Sequence, residues 1–564
     1  MPPDEGTLSP VRKNNTMKKP GLFTSSEGKS LAFPFMLVSS LFLLWGFCNG
    51  MIDVMDKHFQ KELHLTLAQS AWVQFAHYLG YFLMAMPAGV IASKLGYKGG
   101  IVAGLLLVGI GGFWFIPATR IATFPAFLLG VCLIASGLTF LETVSNPYTT
   151  VLGPKQFAAT RINLAQACNG VGWIFGPIAG ANFFYSRNAA GKSTGAETLW
   201  IPYVGVGIIV LILAALFLKT KLPDIVTEDE FHLDDKSESV AEAPVAHKGI
   251  AYPLLWLNIL VLSLAIGMIF SAIVAIPSVG AKLGMTDNQA LFYTTGILLT
   301  IGTVLFFENK SKITNHSVWT HPHFSGATLA QFLYVAAQSG IFAYFINYMT
   351  SQIPAVPAAI ETWFTNASIS SLDLVNRLPG FLGWCIKWLP GWLQGWFEAH
   401  ANGQLGLSDK GASNLASVGF ICFLAGRVIG ANFLKKFPAQ KVLATFASLA
   451  GICSLLVFLK LGWLSTIALF LTYFFMSIIF PTIFSLGIHG LGARAKKASS
   501  FIVMAIMGGA IMPKVMGHVG DSRGMSAAFV VPMVCFVCVA AYGIFWRKLS
   551  GEEGNIDVDA SRGH

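Results

Sequence analysis

Charged side chains are scarce in this sequence. Asp, Glu, Lys and Arg make up only 11% of its 564 residues, whereas a soluble domain has about 25%. Hydrophobic residues make up 54% and the mean hydropathy is +0.63, so much of the apolar surface must face lipid. This composition excludes a soluble enzyme and predicts an all-α integral membrane protein with many spans.

Several signatures of other functions are also missing. The eight cysteines lie almost entirely in apolar runs, so we expect no disulfide framework. No basic stretch is interleaved with aromatic residues, which argues against nucleic acid despite the net charge of +10. There is no G-x-x-x-x-G-K-[ST] loop, and Cys535 and Cys538 have no second pair for a metal. We therefore expect no enzyme activity, no cofactor and no metal, with any transport driven by an ion gradient.

Apolar runs of about 20 residues, the length that crosses a bilayer, recur along the chain. They predict fourteen helical spans, at 33–57, 70–93, 98–118, 124–150, 162–185, 200–219, 251–276, 288–307, 325–349, 413–434, 440–459, 463–488, 498–518 and 525–546. An even number of spans places both termini on one side. With both termini inside, the inside segments carry 24 Lys and Arg and the outside segments 11, which predicts cytoplasmic termini by the positive-inside rule.

The spans divide the chain into segments. We predict cytoplasmic tails at 1–30 and 549–564 and bundles of six helices at 31–219 and 320–548. Between the bundles we predict a charged cytoplasmic linker at 220–250 and an extra helical pair at 251–312. The second bundle contains an outside insert at 350–412. Within it, Trp384, Trp388, Trp392 and Trp396 are spaced by four, which favours an amphipathic helix anchored at the membrane interface over a lid or sugar-binding platform.

The two bundles share motifs. Asn146-Pro147 and Leu152-Gly153 in span four match Phe480-Pro481 and Leu486-Gly487 in span twelve at the same offset. A single shift also superposes span five on span thirteen, at Asn163, Gly172 and Gly180 on Ser500, Gly509 and Gly517. Two parallel six-helix repeats are typical of a transporter that rocks around a central site.

Two carboxylates fall at membrane depth, where a charge costs several kcal/mol and is a functional hypothesis by default. Asp53 lies in the outer half of span one and Glu142 within span four. Burial lets such groups bind and release protons near neutral pH, as a proton symporter requires. Two structural alternatives stay open: Asp53 could be a solvated helix end, and Glu142 could form an ion pair with Arg427 or Lys514.

Amide side chains near Glu142 suit a sugar, because each offers a donor and an acceptor to hydroxyl groups. Gln166 and Asn169 are three residues apart in span five, and Asn146 is four residues after Glu142 in span four, so each pair shares a helical face. Amides also join helices in membranes, and Asn146 and Asn163 fit that role as well.

The motifs resemble the fucose-proton symporter family of the major facilitator superfamily, which also contains glucose/galactose transporters. The resemblance covers about 30–219 and 320–548 and rests on these segments: Leu44-Trp45-Gly46 to Asp53, Leu141-Glu142-Thr143, Asn146-Pro147, Leu152-Gly153-Pro154, Arg161 to Asn169, Phe480 to Gly487 and Ser499 to Val503. It implies the major facilitator fold of two six-helix bundles, with 251–307 as an extra pair outside the pathway.

The resemblance also implies residue roles. Asp53 corresponds to the family's proton-coupling aspartate, Glu142 to its sugar-binding glutamate, and Gln166 and Asn169 to sugar ligands. Asn49 matches an asparagine one helical turn before the aspartate. Some positions depart from the fucose-type pattern, which puts fucose itself in question: Gly50 and Ile52 replace asparagines, Phe480 replaces a tyrosine, and Pro513-Lys514 is closer to the glucose/galactose branch.

Together these features predict import of a neutral monosaccharide, a hexose or deoxyhexose, by proton symport through alternating access. Asp53 would carry the proton, and Glu142, Gln166, Asn169, Asn49 and Asn146 would bind the sugar. The expected partners are the sugar, the proton and the lipid bilayer, and we expect a monomer in a bacterial inner membrane. A sugar sensor of transporter ancestry and a sodium-coupled or facilitative carrier remain alternatives.

Overall fold

The computed structural model of this protein is built almost entirely of helices. It describes residues 23, 30–153, 158–185, 198–220, 222, 248–275, 277–313, 317–354, 356–377, 393–399, 405–434, 436–489, 491 and 495–551. Most of both predicted tails and of the linker 220–250, the Asn163 side chain, Cys385 and the tryptophans at 384, 388 and 392 lie outside the part that is described.

The first six-helix bundle is formed by α1 to α6. These helices are α1 (Ala32–Glu62), α2 (Leu67–Ser70), α3 (Trp72–Ile121), α4 (Phe124–Val151), α5 (Ala158–Phe184) and α6 (Trp200–Lys219). α3 contains two spans joined by a kink at Gly96, whose φ of 68° is in the left-handed region that glycine adopts easily. Beside this kink, the Lys98 ammonium donates to the Leu218 and Thr220 carbonyls at 2.8 and 3.1 Å and so caps α6.

The second bundle follows an inserted helical pair. The insert comprises α7 (Lys248–Val274), α8 (Pro277–Leu283) and α9 (Asp287–Asn309). The bundle comprises α10 (Pro322–Gln352), α11 (Ala358–Arg377), α12 (Asp409–Leu434), α13 (Ala439–Phe458), α14 (Trp463–Met476), α15 (Ile479–Ile488), α16 (Ala495–Met504), α17 (Gly508–Arg523), α18 (Met525–Ala528) and α19 (Val530–Ser550).

Membrane-spanning helices account for most of both bundles. Over the described ranges, 13 helical segments are long and apolar enough to cross a bilayer. The predicted fifth span does not meet that hydropathy criterion, but α5 has 27 residues, about 40 Å of helix. The prediction of an all-α membrane protein with about fourteen spans is therefore confirmed in kind, with 13 spans meeting the criterion.

Glycines bring α1 and α5 into close contact. A Cβ on Gly46 would overlap the Asn169 carbonyl, and a Cβ on Gly172 would overlap the Leu43 carbonyl. Gly50 lies against Pro177 and would place a Cβ 3.0 Å from its ring. Small residues at a spacing of four let two backbones approach in a membrane. Gly50 therefore serves the close packing of α1 on α5, and a larger residue there would require its neighbours to shift.

The glycines of span thirteen make comparable contacts one residue out of the predicted register. A Cβ added to Gly508 of α17 would overlap the Phe332 carbonyl of α10, the first helix of the second bundle. Its neighbour Gly509 instead faces the ring of Tyr78 in the other bundle. The contacts therefore match Gly172 with Gly508, whereas the sequence alignment matched it with Gly509.

The inserted pair packs on the side of the molecule where the two bundles meet. Ala265 and Met268 of α7 are buried in one apolar cluster with Trp72 of α3 and Ile511 of α17. The Lys514 ammonium lies 2.8 Å from the Asp287 carboxylate and 4.3 Å from the centre of the Trp72 ring. This ion pair and cation–π contact anchor the first turn of α9 to both bundles.

The outside insert differs from the prediction. Its described part contains α11 and a hairpin in which β1 (Phe397–Ala399) pairs antiparallel with β2 (Leu405–Leu407). Trp396 is 5% exposed and packs on Phe364 with ring centres 4.7 Å apart. The expectation that Trp396 extends an interfacial helix is therefore wrong, because the chain turns into a strand there and the indole is buried against α11.

The chain ends of the membrane bundle share one face. Gln60, near the end of α1, exchanges hydrogen bonds with Asn347, near the end of α10, at 2.6 and 3.4 Å, so these helices are parallel. The Tyr542 hydroxyl in α19 donates to the His323 carbonyl at the start of α10 at 3.1 Å. We call the face with Ala32 and Ser550 the termini end, and the opposite face the distal end.

Hydrogen bonds join the two bundles at the distal end. The Asp521 carboxylate in α17 accepts from the backbone N–H groups of Leu67 and Ala68, each at 2.9 Å. These are the first two N–H groups of α2, which lack partners within their own helix. The Tyr344 hydroxyl donates to the Leu67 carbonyl at 2.8 Å. The end of α17 therefore caps the start of α2 across the boundary between the bundles.

Further cross-bundle contacts lie beside this cap. Lys61 of α1 forms an ion pair with Asp409 at the start of α12. The Ser413 hydroxyl in α12 is fully buried and donates to the Pro177 carbonyl in α5 at 3.0 Å. These contacts involve the distal halves of their helices, so the structure shows the distal side closed between the bundles.

Candidate functional site

Asp53 lies in the distal half of α1 and is buried. The residue is 8% exposed. Its Oδ1 accepts a hydrogen bond from the Gln74 side chain of α3 at 2.9 Å. Oδ2 is buried with no hydrogen-bond partner in the described part of the chain. The alternative that Asp53 is a solvated helix end is therefore wrong. A buried carboxylate with one unsatisfied oxygen is costly when charged and is relieved by a proton.

Tyr81 of α3 lies among polar residues of α1 and α4, and we call this set, with Asp53, Gln74 and Gln166, the polar wall of the first bundle. Its hydroxyl oxygen accepts from the Trp45 indole N–H at 2.6 Å. Because the tyrosine hydroxyl is not the donor in that bond, its own hydrogen remains available. Glu142 and Asn49 both lie near enough to interact with this hydroxyl, and the Asn49 oxygen is buried with no partner among the residues described. Four polar groups from α1, α3 and α4 thus converge.

Glu142 is half-buried and does not pair with either expected cation. Lys514 instead binds Asp287. Arg427 lies over the Phe423 ring at 4.8 Å and donates to the Ser477 carbonyl at 3.4 Å. The ion-pair alternative for Glu142 is therefore wrong. Its carboxylate remains able to accept hydrogen bonds from a ligand.

Gln166 and Asn146 form a bridge between α5 and α4. The Gln166 Nε2 donates to the Asn146 Oδ1 at 3.1 Å, and both residues are half-buried. Each amide keeps further donor and acceptor positions, since this bond uses one hydrogen of Gln166 and one lone pair of Asn146. The pair lies within about one helical turn of Glu142 along α4.

Asn169 has a different environment from Gln166. It is 3% exposed, and its Nδ2 donates to the Phe42 carbonyl of α1 at 3.2 Å. This is the same close contact at which Gly46 meets the Asn169 backbone. One amide hydrogen of Asn169 therefore serves the α1–α5 contact, although the sequence placed it beside Gln166 on one face.

The carboxylates lie at different depths. Asp53 is 9 residues from the distal end of α1 and Glu142 is 9 residues from the termini end of α4, which puts each carboxylate about 14 Å along the axis from that end of its helix. The polar residues between them are Gln74, Asn49, Tyr81 and Trp45. Polar side chains of the first bundle thus extend along the middle parts of α1, α3 and α4.

Aromatic residues close the space on the distal side of the amides. Trp173, one helical turn beyond Asn169, packs on Phe420 and Phe342 of the second bundle, with ring centres 4.8 and 5.5 Å apart. Tyr473 packs on Phe342 at 4.9 Å. The sequence signal for this cluster was available, because Trp173 lies seven residues after Gln166 on the same helical face.

Two buried polar residues were missed from the sequence, one beside Asp53 and one in the second bundle. Gln74 bonds Asp53, and its position seven residues before Tyr81 on one face of α3 was the available signal. Gln331 of α10 is fully buried, and neither its amide oxygen nor its nitrogen has a partner in the described segments. An amide inside an apolar run of a predicted span, Leu329 to Ala337, was the signal there.

Other candidate groups have structural environments. His77 is 6% exposed, and its ring packs between Tyr78 and Tyr81 at centre distances of 5.1 and 5.0 Å. Seven of the cysteines, including Cys535 and Cys538, are described, and these seven are free thiols. Over the described residues, no group of three or more His, Cys, Asp or Glu side chains could hold a metal ion.

Comparisons with known protein families and with individual proteins point to the same family. Residues 35–370 match the Major Facilitator Superfamily. The chain is 30% identical over 538 residues to the L-fucose-proton symporter of Escherichia coli strain K12, covering 92% of this chain and 94% of that protein. It is 26% identical to the glucose/galactose transporter of Brucella abortus, covering 93% of this chain and 96% of that one.

Solved structures agree. The crystal structure of a major facilitator superfamily transporter, the E. coli fucose:proton symporter, in its outward conformation matches with a TM-score of 0.53 at 29% identity. The match covers 91% of this chain and 98% of that one. The D-xylose-proton symporter matches with a TM-score of 0.55 at 11% identity, over 92% and 97% of the two chains, which shows a common fold.

Proposed function

This chain belongs to the major facilitator superfamily, within the fucose-proton symporter family, and on that premise we propose that it imports a neutral monosaccharide by proton symport. It is a transporter and not an enzyme. The observation that carries the proposal is the buried polar wall of the first bundle, which runs from Asp53 through Tyr81 to Glu142 and Gln166. Polar groups in a membrane core mark a substrate or ion pathway.

Glu142 and the Gln166–Asn146 pair are the proposed centre of the sugar site. A carboxylate accepts hydrogen bonds from two hydroxyl groups, and charge-assisted bonds are about twice as strong as neutral ones. The amides add donors for ring and hydroxyl oxygens. Asn49 and Asn169 complete the site in our proposal, with Asn49 offering its unpartnered oxygen.

The sugar is proposed to be a hexose or deoxyhexose such as glucose, galactose or fucose. Relatives named for L-fucose and for glucose and galactose support this range. All polar groups of the proposed site other than Glu142 are uncharged amides, a hydroxyl and an indole, which suits a ligand with hydroxyl groups and no charge. The Trp45 ring beside Tyr81 provides an apolar surface for the sugar's C–H groups.

Asp53 is the proposed proton carrier. Gln74 satisfies one of its oxygens and leaves the other buried without a donor, so the neutral acid is favoured while the distal side is closed. Opening of that side would admit water and let the group exchange its proton there. Release toward the termini end would follow once the sugar has left and the wall is hydrated.

Alternating access is the proposed mechanism, since the bundles are joined at the distal end by Asp521, Tyr344, Lys61 and Ser413. Rocking would break these contacts and open the site distally. The comparison with a relative in an outward conformation supports this second state.

The protein is an integral membrane protein. We propose that it resides in a bacterial inner membrane as a monomer, with the termini end in the cytoplasm, on the strength of the Lys and Arg excess in the termini-side segments. The division into bundles 31–219 and 320–548, with linker 220–250 and insert 251–312, is likewise our proposal.

Uptake by proteoliposomes tests the function. Labelled glucose, galactose, fucose and N-acetylglucosamine are offered under an imposed inward proton gradient. We expect one of the neutral sugars to accumulate above its outside concentration in the unmodified protein. Asp53→Asn should lose accumulation but keep exchange of labelled for unlabelled sugar, because sugar binding survives when the proton cannot leave.

Glu142→Gln and a surface change separate binding from coupling. Glu142→Gln should weaken exchange and accumulation together, whereas Asp373→Asn, in an exposed pair with Arg377 on α11, should change neither. Accumulation that requires sodium and ignores the proton gradient would contradict the role of Asp53. Binding of a sugar without any transport would instead indicate a sensor.

A further inference from the structure

A second aspartate, Asp56, lies one helical turn from Asp53 and is more completely buried. Its exposed fraction is 0%, and neither carboxyl oxygen has a hydrogen-bond partner among the residues described. It lies in the distal half of α1, at the level of the contacts that join the bundles. The proton transfer proposed for Asp53 does not use it.

The donors around Asp56 are all committed to other acceptors. Ser70 and Gln60 are its polar neighbours. The Ser70 hydroxyl donates to the Leu67 carbonyl at 2.9 Å. The two hydrogens of the Gln60 amide go to the Ser70 Oγ at 2.9 Å and the Asn347 Oδ1 at 3.4 Å.

The tyrosines that face Asp56 are committed as well. The single hydroxyl hydrogen of Tyr344, in the second bundle, is shared between the Leu67 and Pro513 carbonyls, whose oxygens lie 2.8 and 2.9 Å from the hydroxyl oxygen. Tyr185, which follows α5, donates to the Val54 carbonyl at 3.0 Å. A tyrosine has one hydroxyl hydrogen, so neither can also stabilise a carboxylate at Asp56.

The charged groups near Asp56 do not neutralise it. The Lys57 ammonium, adjacent in sequence, attracts a charged Asp56, but the two side chains form no ion pair within the described structure. Asp53 on the same helix is close enough to interact with Asp56 and carries the same sign of charge. A charged Asp56 would therefore be buried without a hydrogen-bond donor and near the Asp53 carboxylate, which costs several kcal/mol.

We propose that Asp56 is a second proton-binding site, which must be protonated for the two bundles to close at the distal end. A neutral Asp56 can donate its own hydrogen, and the Ser70 Oγ has a lone pair left to accept it. The proton would come from the distal solution as the contacts close, and it would return to the same side when they open.

This proton would not be transported. Closing adds one H⁺ to the Asp56 carboxylate and opening releases it to the side from which it came, so the ratio of protons to sugar set by Asp53 does not change. Its effect is that low pH on the distal side favours the closed state. The proposal rests on the alternating access proposed above but not on the identity of the sugar or of the coupling ion.

Labelling of a buried reporter thiol tests the proposal. Ser413→Cys places a thiol at a position that is fully buried between α12 and α5 in the closed state. A membrane-impermeant maleimide can reach it only when the bundles separate. The rate is measured without sugar, in the full-length protein in proteoliposomes, at external pH values from about 5 to 8, in an Asp53→Asn background so that the first site does not titrate.

Two controls correct the labelling rate. Labelling of an exposed thiol on α11, Thr362→Cys, which takes no part in the contacts between the bundles, gives at each pH the pH dependence of the reagent chemistry itself. Labelling of the protein without either added thiol gives the contribution of the native cysteines. After both corrections, we expect the Ser413→Cys rate to fall with decreasing pH by up to tenfold per pH unit, the limit for a single linked proton.

Variants at Asp56 decide the assignment. Asp56→Asn and Asp56→Ser, which are neutral and can donate a hydrogen, should show labelling that is low and varies less than twofold over the range. Asp56→Glu should restore a pH dependence. Two neutral variants guard against one failing to fold, which gel filtration and the Thr362→Cys rate report.

Two outcomes would overturn the proposal. One is no pH dependence in the protein with Asp56 intact, and the other is a dependence that persists in both neutral variants. Failure of sugar accumulation with intact pH-dependent labelling would refute the proposed transport function while leaving the Asp56 site standing, because the labelling assay involves no sugar.

Discussion

Asp521 is expected to hold the distal side closed, and its removal should open it. Both carboxylate oxygens accept backbone N–H groups of α2, from Leu67 and Ala68, at 2.9 Å. The Thr66 side chain caps a third N–H group, that of Gln69, from within the first bundle. Asp521 is thus the part of this helix cap that comes from the other bundle, and these two bonds exist only when the bundles are together.

The magnitude follows from the type of bond and its exposure. Hydrogen bonds to a charged acceptor contribute about 1.5–3 kcal/mol each when shielded, and a charge at an exposed helix start contributes about 0.3–1 kcal/mol. Asp521 is exposed, so we expect Asp521→Ala to cost the closed state about 1–2 kcal/mol. That energy corresponds to a shift of about 5- to 30-fold in the equilibrium between closed and open.

The buried reporter Ser413→Cys measures this shift directly. The rate of maleimide labelling from the distal side should rise about 5- to 30-fold in Asp521→Ala, provided that opening is rapid compared with labelling. Asp373→Asn removes a carboxylate from an exposed pair on α11 that does not join the bundles and should leave the rate unchanged. An equal rate in Asp521→Ala and the unmodified protein would refute the argument that this cap stabilises closure.

Three further changes test other contacts. Glu142→Gln replaces charge-assisted hydrogen bonds to the sugar by neutral ones, so the sugar concentration for half-maximal exchange should rise about 5- to 30-fold; an unchanged value would remove Glu142 from the site. Gly172→Ala places a Cβ where a backbone carbonyl already lies and should sharply lower the yield of folded protein in gel filtration, whereas Gly205→Ala, with nothing within 4 Å of the added atom, should not. Asp287→Asn leaves Lys514, which is 14% exposed, without its ion-pair partner. This should lower stability by about 1–3 kcal/mol, the cost of a group left without its partner, and so lower the melting temperature; no shift would show that the pair does not anchor the insert.

Sequence reasoning located the candidate residues better than it assigned their contacts. Asp53 and Glu142 stood out because charges are rare in apolar spans, and burial of Asp53 agrees with that reasoning. The partners were not visible in the same way. Gln74 lies 21 residues from Asp53, and a one-dimensional pattern does not show which of several polar residues on α3 meets α1.

The same limit explains the errors at the periphery. A spacing of four tryptophans indicated a helix through Trp396, but tertiary packing against Phe364 and pairing of β1 with β2 fix a strand there. Short segments outside the membrane have no long hydropathy signal, so local spacing is weak evidence for them. The one-residue shift at Gly508 has a similar cause, because a repeat alignment does not show which neighbouring glycine approaches a backbone.

The sequence by itself determined the membrane class, the helical spans, the duplication and the rare buried carboxylates, since each follows from hydropathy, length or the cost of charge in lipid. Only the tertiary structure decided which side of the molecule is closed, how the insert is held, and that no hydrogen-bond donor is available to Asp56. Those properties depend on residues far apart in the chain, such as Lys514 with Asp287, 227 positions away, and Gln60 with Asn347, 287 positions away. Hydrogen bonds and ion pairs act over a few ångströms, so their presence depends on where the fold brings side chains together.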